Sequence, residues 1–307
     1  MKGDHPTRAI EPGYLSQDLT KVPGWHGLVA WDLLFNNLTT GLFLFAAVGE
    51  LAAPALLGGV AKLAYPVALV LLLTDLALLV SDLGDPLRFH HMLRVFKPSS
   101  PMSLGTWSLT VYSLPLTLIV AIETAQVLHL LPTGSLPLEW VRKSLVVFGL
   151  VPAFGSVAYK GVLFSTCSQP GWKDARWLGG FMANSALTLG SAQLLALSVL
   201  TGDARAAAAL RTVAAVLLLI NLIPTGLVFL ELRETLSRIY RDQQVHLAVV
   251  LIVIVGTLIP LNLLLVGDGA PGVLGAVLFI LAGNLAIRSL FLKIPHASHE
   301  NRSGAAA

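Results

Sequence analysis

The chain has 307 residues, of which 55% are hydrophobic and only 12% are charged, and its mean hydropathy is +0.76. A soluble domain of this length carries about a quarter charged residues. The composition therefore excludes an ordinary soluble domain and predicts a membrane protein with several spans. We expect lipid, and no nucleic acid, among its partners.

Cysteine and histidine limit the cofactors that the chain can hold by itself. The single cysteine, Cys167, excludes a disulfide framework and an iron–sulfur cluster bound by this chain alone. The eight histidines lie in the terminal tails, in a loop or at predicted helix ends, so no pair is placed to ligate haem within the membrane. The sequence therefore predicts no intrinsic haem, no iron–sulfur cluster and no metal site.

The chain begins with a polar tail, residues 1–24, which lacks the apolar segment of a cleavable signal peptide. Eight apolar segments follow, and each is long enough to cross a bilayer as a helix. Because only helices satisfy their own backbone groups inside lipid, we predict an all-α integral membrane protein. The predicted spans are 27–51, 60–82, 104–130, 141–165, 176–200, 206–231, 246–267 and 271–292.

The eight spans divide into two sets of four, which predicts two related four-helix bundles. The first bundle covers residues 25–165 and includes a loop at 83–103; the second covers 166–293, and a flexible tail follows at 294–307. A weak internal repeat supports the division, since the order Trp, Phe, Asn, Gly occurs at the start of the first and fifth spans (Trp31, Phe35, Asn37, Gly41 and Trp177, Phe181, Asn184, Gly190).

The distribution of lysine and arginine predicts the orientation. Fifteen of the 20 lie on the side that carries both termini and the loops after the second, fourth and sixth spans. The positive-inside rule places that side in the cytoplasm. The other five lie on the opposite side: Lys62, Arg142, Lys143, Arg205 and Arg211.

Polar residues in the spans are costly and indicate function. Asp75 and Asp82 lie two turns apart on one face of the second span, and Asp32 enters the membrane from the same side on the first span. Tyr159 and Lys160 end the fourth span at a similar depth. The alternatives are that Asp82 only terminates its helix, that Lys160 snorkels to the interface, and that Tyr159 belongs to an interfacial belt.

This convergence predicts a quinone pocket, formed by Asp32, Asp82 and Tyr159 with the loop residues Arg88, His90 and His91. A quinone needs hydrogen-bond donors when oxidised and proton acceptors when reduced, and these side chains supply both. On the opposite side, each glutamate (Glu50, Glu123, Glu139) could be an ordinary interfacial acid.

A relay from Asp82 through Asp75 to Glu123 is an alternative role for the buried acids, which would then conduct protons.

Two further spans carry proline beside an amide side chain, Asn221 with Pro224 and Pro260 with Asn262. These pairs predict kinks with a local patch of amide groups.

The run "DLGDPLRF" followed by "SPMSLGTW" resembles the NrfD-type membrane subunits of polysulfide reductase-like oxidoreductases. The likeness covers roughly residues 25 to 195 and includes "YKG" in the fourth span and "PGW" before the fifth. It implies a subunit that binds menaquinone or ubiquinone in a bacterial inner membrane and serves anaerobic or alternative respiration. It also implies an iron–sulfur partner, which contacts a molybdenum enzyme or a multihaem cytochrome.

The resemblance also implies site residues. Catalytic roles fall on Asp32, Asp82 and Tyr159, and quinone binding involves these three together with His26, Arg88 and Trp107; Asp75 and Glu123 remain candidates for a proton path.

This sequence departs from the family pattern at three places. Asp32 stands where tyrosine or histidine is usual, Asn36 and Asn37 replace two glycines, and Asp85 replaces an arginine of the loop motif. An acid makes the pocket a better proton acceptor, which favours quinol oxidation. The swaps also leave open a subunit without a quinone site, acting as a proton channel, a transporter or a pure anchor. Family habit would place the motif loop outside the cell, against the charge distribution.

Overall fold

A computed structural model describes residues 21–25 and 27–305, with side chains described to residue 300. Eight helical segments in this part of the chain are long and apolar enough to cross a membrane, as predicted. They form ten α-helices, and the described residues contain no strand, so the all-α prediction is confirmed. The helices are α1 (Gly27–Ala52), α2 (Pro54–Ser81), α3 (Pro101–Val127), α4 (Leu136–Ser165), α5 (Leu178–Leu200), α6 (Ala204–Ile220), α7 (Leu222–Ile239), α8 (Asp242–Val253), α9 (Ile259–Leu265) and α10 (Gly269–Ala305).

Local sequence explains where several helices begin. Proline stands at the first position of α2 and α3, where its fixed φ suits a helix and its missing N–H costs nothing. Ser100 caps α3 by accepting a hydrogen bond from the Ser103 amide, and Asp203 caps α6 through the Ala206 amide at 3.0 Å. The short connections make consecutive spans antiparallel.

The two predicted kinks are confirmed. The sixth span breaks into α6 and α7 at Asn221, three residues before Pro224. The seventh span contains a π-helical turn at Ile254–Leu258, just before Pro260. Proline removes a helical N–H and crowds the preceding turn, so the backbone of each span loses its regular pattern there.

Helix α1 is central, since it packs against α2, α4, α5 and α10. Its contact with α5 is a backbone contact, because a Cβ added to Gly41 would lie 2.0 Å from the Ala186 carbonyl oxygen. A Cβ on Gly190 would lie 2.1 Å from the Gly41 carbonyl oxygen. One apolar core contains residues from both sets of helices, so the division into two bundles, with its boundary at residue 165, stays a prediction.

The start of α1, the loop between α2 and α3, and the end of α4 lie on one membrane side, which we call the loop side; the opposite side is the far side. An aromatic cluster closes the loop side between the ends of α4 and α10. Trp172 lies 5.0 Å from Phe164 and 5.5 Å from Trp25 between ring centroids, and its Nε1 donates to the Phe291 carbonyl oxygen at 3.1 Å.

The end of the chain differs from the prediction of a flexible tail from residue 294. Helix α10 continues to Ala305. Ile294 is buried, and the His296 Nε2 lies 2.9 Å from the Trp25 carbonyl oxygen. Hydropathy falls at Lys293, but contacts with the aromatic cluster hold the next turn of helix in place.

Candidate functional site

A buried ion pair lies on the loop side, between the first and fourth spans. Lys160 Nζ donates to Asp32 Oδ2 at 2.8 Å and to the Asp32 carbonyl oxygen at 3.3 Å. Both residues are buried, so Lys160 does not snorkel to the interface. An isolated charge is costly in a low-dielectric interior, so Asp32 and Lys160 stabilise each other as an ion pair. The sequence predicted Asp32 as a site residue but missed this partner.

A second layer of polar groups lies deeper in the membrane. Asp75, which is fully buried, accepts a hydrogen bond from Asn36 Nδ2 at 3.1 Å. The same amide nitrogen lies 3.0 Å from Ser156 Oγ. Asp75 interacts electrostatically with Lys160 and Asp32, and its carboxyl group is close enough to that of Asp32 for a hydrogen bond between them when one of the two is protonated. We call Asp32, Asn36, Asp75, Ser156 and Lys160 the loop-side cluster.

The loop-side cluster has more acceptors than donors. The Oδ1 atoms of Asp32, Asn36 and Asp75 are buried and have no hydrogen-bond partner among the described residues. A buried acceptor without a donor costs about 1–3 kcal/mol. Three such atoms in one cluster are therefore acceptors that hydroxyl groups of a ligand or water would satisfy.

Tyr159 lies beside the loop-side cluster and packs on α3. It is half-buried and interacts electrostatically with Asp32 and Asp75. Its ring covers Gly105, the glycine of "SLGTW", where an added Cβ would lie 2.1 Å from Tyr159 Cε2. The absence of a side chain at Gly105 thus leaves room for the Tyr159 ring. Trp107 follows on α3, with its ring 5.9 Å from Phe96 and its Nε1 buried without a partner among the described residues.

The motif loop itself lies at the surface. Asp82 is exposed in the turn that ends α2, and Arg88 is exposed on a short 3₁₀ helix at Pro86–Leu93, 2.9 Å from Asp85. His90 and His91 are exposed as well. The expected convergence of these loop residues with Asp32 is therefore not seen, because the chain leaves the helix packing at Asp82. His26 lies outside the described residues.

A second charged cluster lies near the far side. Arg142, which is only 2% exposed, donates through Nη1 to Glu50 Oε2 and to Glu123 Oε1, each at 3.2 Å, and its Nη2 also contacts Glu50 Oε1. Tyr65 donates to Glu50 at 2.7 Å, and Glu139 lies 3.8 Å from Arg142 Nε. Glu50 and Glu123 are thus not ordinary interfacial acids. Sequence analysis missed this cluster, although Arg142 near the start of α4 lies at the same depth as Glu123 near the end of the preceding helix, α3.

Between the two clusters, hydroxyl groups continue the polar column. Thr39 Oγ1 donates to the Ala68 carbonyl oxygen at 2.7 Å and lies 3.0 Å from the Tyr112 hydroxyl. The ring of Phe43 then separates Tyr112 from Tyr65, with centroids 5.3 and 5.8 Å away. At 1.5 Å per residue, the column from Asp32 to Glu50 is about 27 Å long. That length is close to the ~30 Å of a hydrocarbon core.

These features define a class, a polytopic helical membrane protein with a buried polar column through its first four spans. A family model described as polysulphide reductase, NrfD, matches residues 16–294. The chain therefore belongs to the NrfD family, and the resemblance carried by the two loop motifs is confirmed over a longer stretch than predicted. No curated protein matches the chain in a sequence comparison.

Proposed function

We propose that this chain is the quinone-reactive membrane subunit of a respiratory oxidoreductase and exchanges electrons with an iron–sulfur partner. The observation that carries the proposal is the loop-side cluster with its three unpartnered acceptor oxygens, in a chain of the NrfD family. The cluster lies next to Tyr159 and on the same side as the motif loop, where a soluble partner could approach.

The residues of the cluster suit the oxidation of a quinol. A bound menaquinol or ubiquinol supplies two electrons and two protons as it is oxidised. The Oδ1 atoms of Asp32 and Asp75 lack an N–H or O–H donor in the part of the chain that the structure describes and would accept hydroxyl hydrogens, and the cluster has one carboxyl more than it has cations. Lys160 and Tyr159 offer donors for a carbonyl oxygen. Trp107 and Tyr159 supply aromatic surface for the ring.

The exposed loop suits docking of the iron–sulfur partner. Arg88, Arg94 and Lys97 are exposed there, and so are the apolar side chains of Leu87 and Val95, at 85% and 69%. A basic rim around exposed apolar side chains is typical of a protein interface and complements an acidic face. Arg88 and Asp82 would then contact the iron–sulfur partner. That partner would in turn connect to a molybdenum enzyme or a multihaem cytochrome.

The membrane side follows from charge. We propose a bacterial inner membrane with the loop side in the cytoplasm, because 15 of the 20 lysines and arginines lie there. A reporter active on only one side of the membrane, fused after residue 307, tests this. Activity of an exported reporter at that position would overturn the orientation and place the partner outside.

A second function, proton conduction, is favoured by the polar column. Protons released at Asp75 could pass to Tyr112 and Thr39, and beyond Phe43 to Tyr65 and the Glu50–Arg142–Glu123 group. The ring of Phe43 interrupts the column, so passage past it would need water or a rotation of the ring. A transporter-like subunit or a pure anchor would use this column without any quinone.

The deciding experiment is quinol-dependent electron transfer by the purified complex. We expect Asp75→Asn to lower the rate about 10²–10⁴-fold, the usual contribution of a positioned acid or base, and Tyr159→Phe to lower it less. Asp268→Asn, an exposed acid on the far side, is the matched control. Wild-type rates in both Asp75→Asn and Tyr159→Phe would show that the cluster takes no part in quinone chemistry. The channel or anchor function would then be favoured.

A further inference from the structure

The two halves of the chain, α1–α4 and α5–α10, contain the same polar arrangement. In the first half Asn36 Nδ2 lies 3.0 Å from Ser156 Oγ, which joins the first span to the fourth. In the second half Ser185 Oγ donates to Asn284 Oδ1 at 2.5 Å, which joins the fifth span to the eighth. The pairs occupy matching places, because Asn36 lies five residues before Gly41 and Ser185 lies five residues before Gly190, and these two glycines form the contact between α1 and α5.

A buried cation follows each of these pairs by one helical turn. Lys160 comes four residues after Ser156, and Arg288 comes four residues after Asn284. Lys160 is neutralised by Asp32, four residues before Asn36. The residue four positions before Ser185 is Phe181, whose ring lies 5.5 Å from Arg288 Cζ. The second half therefore keeps the cation and has a phenyl ring where the first half has the acid.

Arg288 is fully buried and is held by neutral groups. Its Nη1 donates to the carbonyl and side-chain oxygens of Asn284, each at 2.9 Å, and its Nη2 donates to Ser185 Oγ at 2.8 Å. Its Nε has no acceptor, and no carboxylate lies within ion-pair distance in the described part of the chain. A buried charge without a counter-charge is costly in a membrane interior. An anion at this place would stabilise it.

Arg288 lines a cavity of about 280 Å³ between α5, α7, α8 and α10. It is the one charged residue among the described residues of the wall, and most of the others are apolar. Leu290, part of the same wall, is 42% exposed, so the wall of the cavity extends to the outer surface of the helices. A molecule bound there would thus lie against an apolar wall that contains one buried cation.

We propose that this cavity binds the oxyanion head of a membrane amphiphile, with Arg288 as the counter-charge and the hydrocarbon tail between α7, α8 and α10. The two sources of such a head are a long-chain carboxylate and the phosphate of an anionic phospholipid. Charge complementarity excludes a neutral or cationic occupant as the preferred ligand. The site is separate from the loop-side cluster and does not depend on the quinone proposal.

Native mass spectrometry of the purified wild-type chain, titrated with palmitate in one arm and phosphatidylglycerol in the other, tests the site. We expect one molecule to bind in one arm, and the arm identifies the source. Phosphatidylcholine is the control lipid, since its head carries no net charge. Absence of saturable binding in both arms, or equal binding of phosphatidylcholine, would overturn the proposal. Displacement of the bound anion by ubiquinone would also overturn it.

Two variants locate the binding. Arg288→Met removes the cation, and Phe181→Asp supplies the internal acid that the first half has in Asp32. Each should weaken binding about tenfold to a hundredfold, the usual effect of one charge-assisted hydrogen bond. Lys293→Met is the matched control, because that cation is not part of the cavity wall. Unchanged affinity in a folded Phe181→Asp or Arg288→Met chain would contradict the assignment. The wild-type titration decides the matter if neither variant folds.

Discussion

Lys160 Nζ lies 2.8 Å from Asp32 Oδ2, and this buried ion pair joins the fourth span to the first at the depth of the candidate site. Burying either charge alone in a membrane is costly, and the ion pair offsets that cost for both residues. It also fixes where the remaining polar groups, Asn36 and Asp75, must lie.

Removing one partner of the ion pair should destabilise the chain more than removing both. Lys160→Met leaves the Asp32 carboxylate buried without its cation, at a cost of about 3–5 kcal/mol. The double variant Asp32→Asn with Lys160→Met should recover most of that loss. Unfolding in detergent, followed by circular dichroism, measures the coupling. Additive effects of the two substitutions would show that the pair contributes nothing as a unit.

Gly105 should tolerate no side chain. Gly105→Ala places a Cβ 2.1 Å from the Tyr159 ring, so the ring or α3 must move, at about 1–3 kcal/mol. We expect a lower melting temperature together with slower quinol oxidation. Gly58→Ala is the matched control, because nothing lies within 4 Å of the added Cβ on α2. Equal stability of the two variants would show that Tyr159 has room to rotate away.

The contact between α1 and α5 should be the most sensitive backbone contact in the fold. Gly41→Ala puts a Cβ 2.0 Å from the Ala186 carbonyl oxygen, which cannot move without displacing α5. We expect little folded protein in the membrane fraction, whereas Gly226→Ala, with open space around its Cβ, should accumulate normally. Normal accumulation of Gly41→Ala would mean that the two helices separate easily.

Arg142 should be required for folding on the far side. Arg142→Met leaves Glu50 and Glu123 buried beside each other without a cation, and we expect a loss of about 3–5 kcal/mol. Arg142→Lys keeps the positive charge but lacks the guanidinium group whose several N–H donors bind both acids. It should therefore be more stable than Arg142→Met and less stable than the wild type. Thermal unfolding of the three proteins gives the order. A stable Arg142→Met chain would indicate that both acids take up protons.

The single cysteine should react slowly at neutral pH. Burial raises the pKa of the Cys167 thiol, and its Sγ donates to the Phe164 carbonyl oxygen at 2.9 Å. Because the thiolate is the nucleophile, the alkylation rate at pH 7 should be below that of a free thiol and should rise only above the usual thiol range. Maleimide labelling followed by mass spectrometry across pH 6 to 10, with a cysteine-containing peptide as reference, measures it. Rapid labelling at pH 7 would contradict the raised pKa.

Much of the fold was predictable because hydropathy is a local property. The eight spans, the helical class, and the breaks near Pro224 and Pro260 followed from apolar length and from proline. The burial of Asp75 followed from its position in the middle of an apolar segment. The two loop motifs identified the family, since they are contiguous in sequence.

The site was only partly predictable, because pairing between helices depends on which faces meet. Asp32 and Tyr159 were expected at one place, and the structure brings them together. The sequence leaves open whether Lys160 snorkels to the interface, and only the packing of α4 on α1 makes it the partner of Asp32. Asp82 shares a helical face with Asp75 but lies beyond the end of the packed region, so it is exposed.

The sequence by itself determined that the chain crosses a membrane eight times as helices, since lipid excludes charge and demands local hydrogen bonding over about 20 residues. Only the tertiary structure decided which charges neutralise each other. Lys160 and Arg142 have acids on neighbouring spans, whereas Arg288 meets the ring of Phe181. The reason is physical, because charge compensation in a low-dielectric interior requires distances of a few ångströms, and Lys160 and Asp32 are 128 positions apart in the chain and Arg142 and Glu50 are 92 apart.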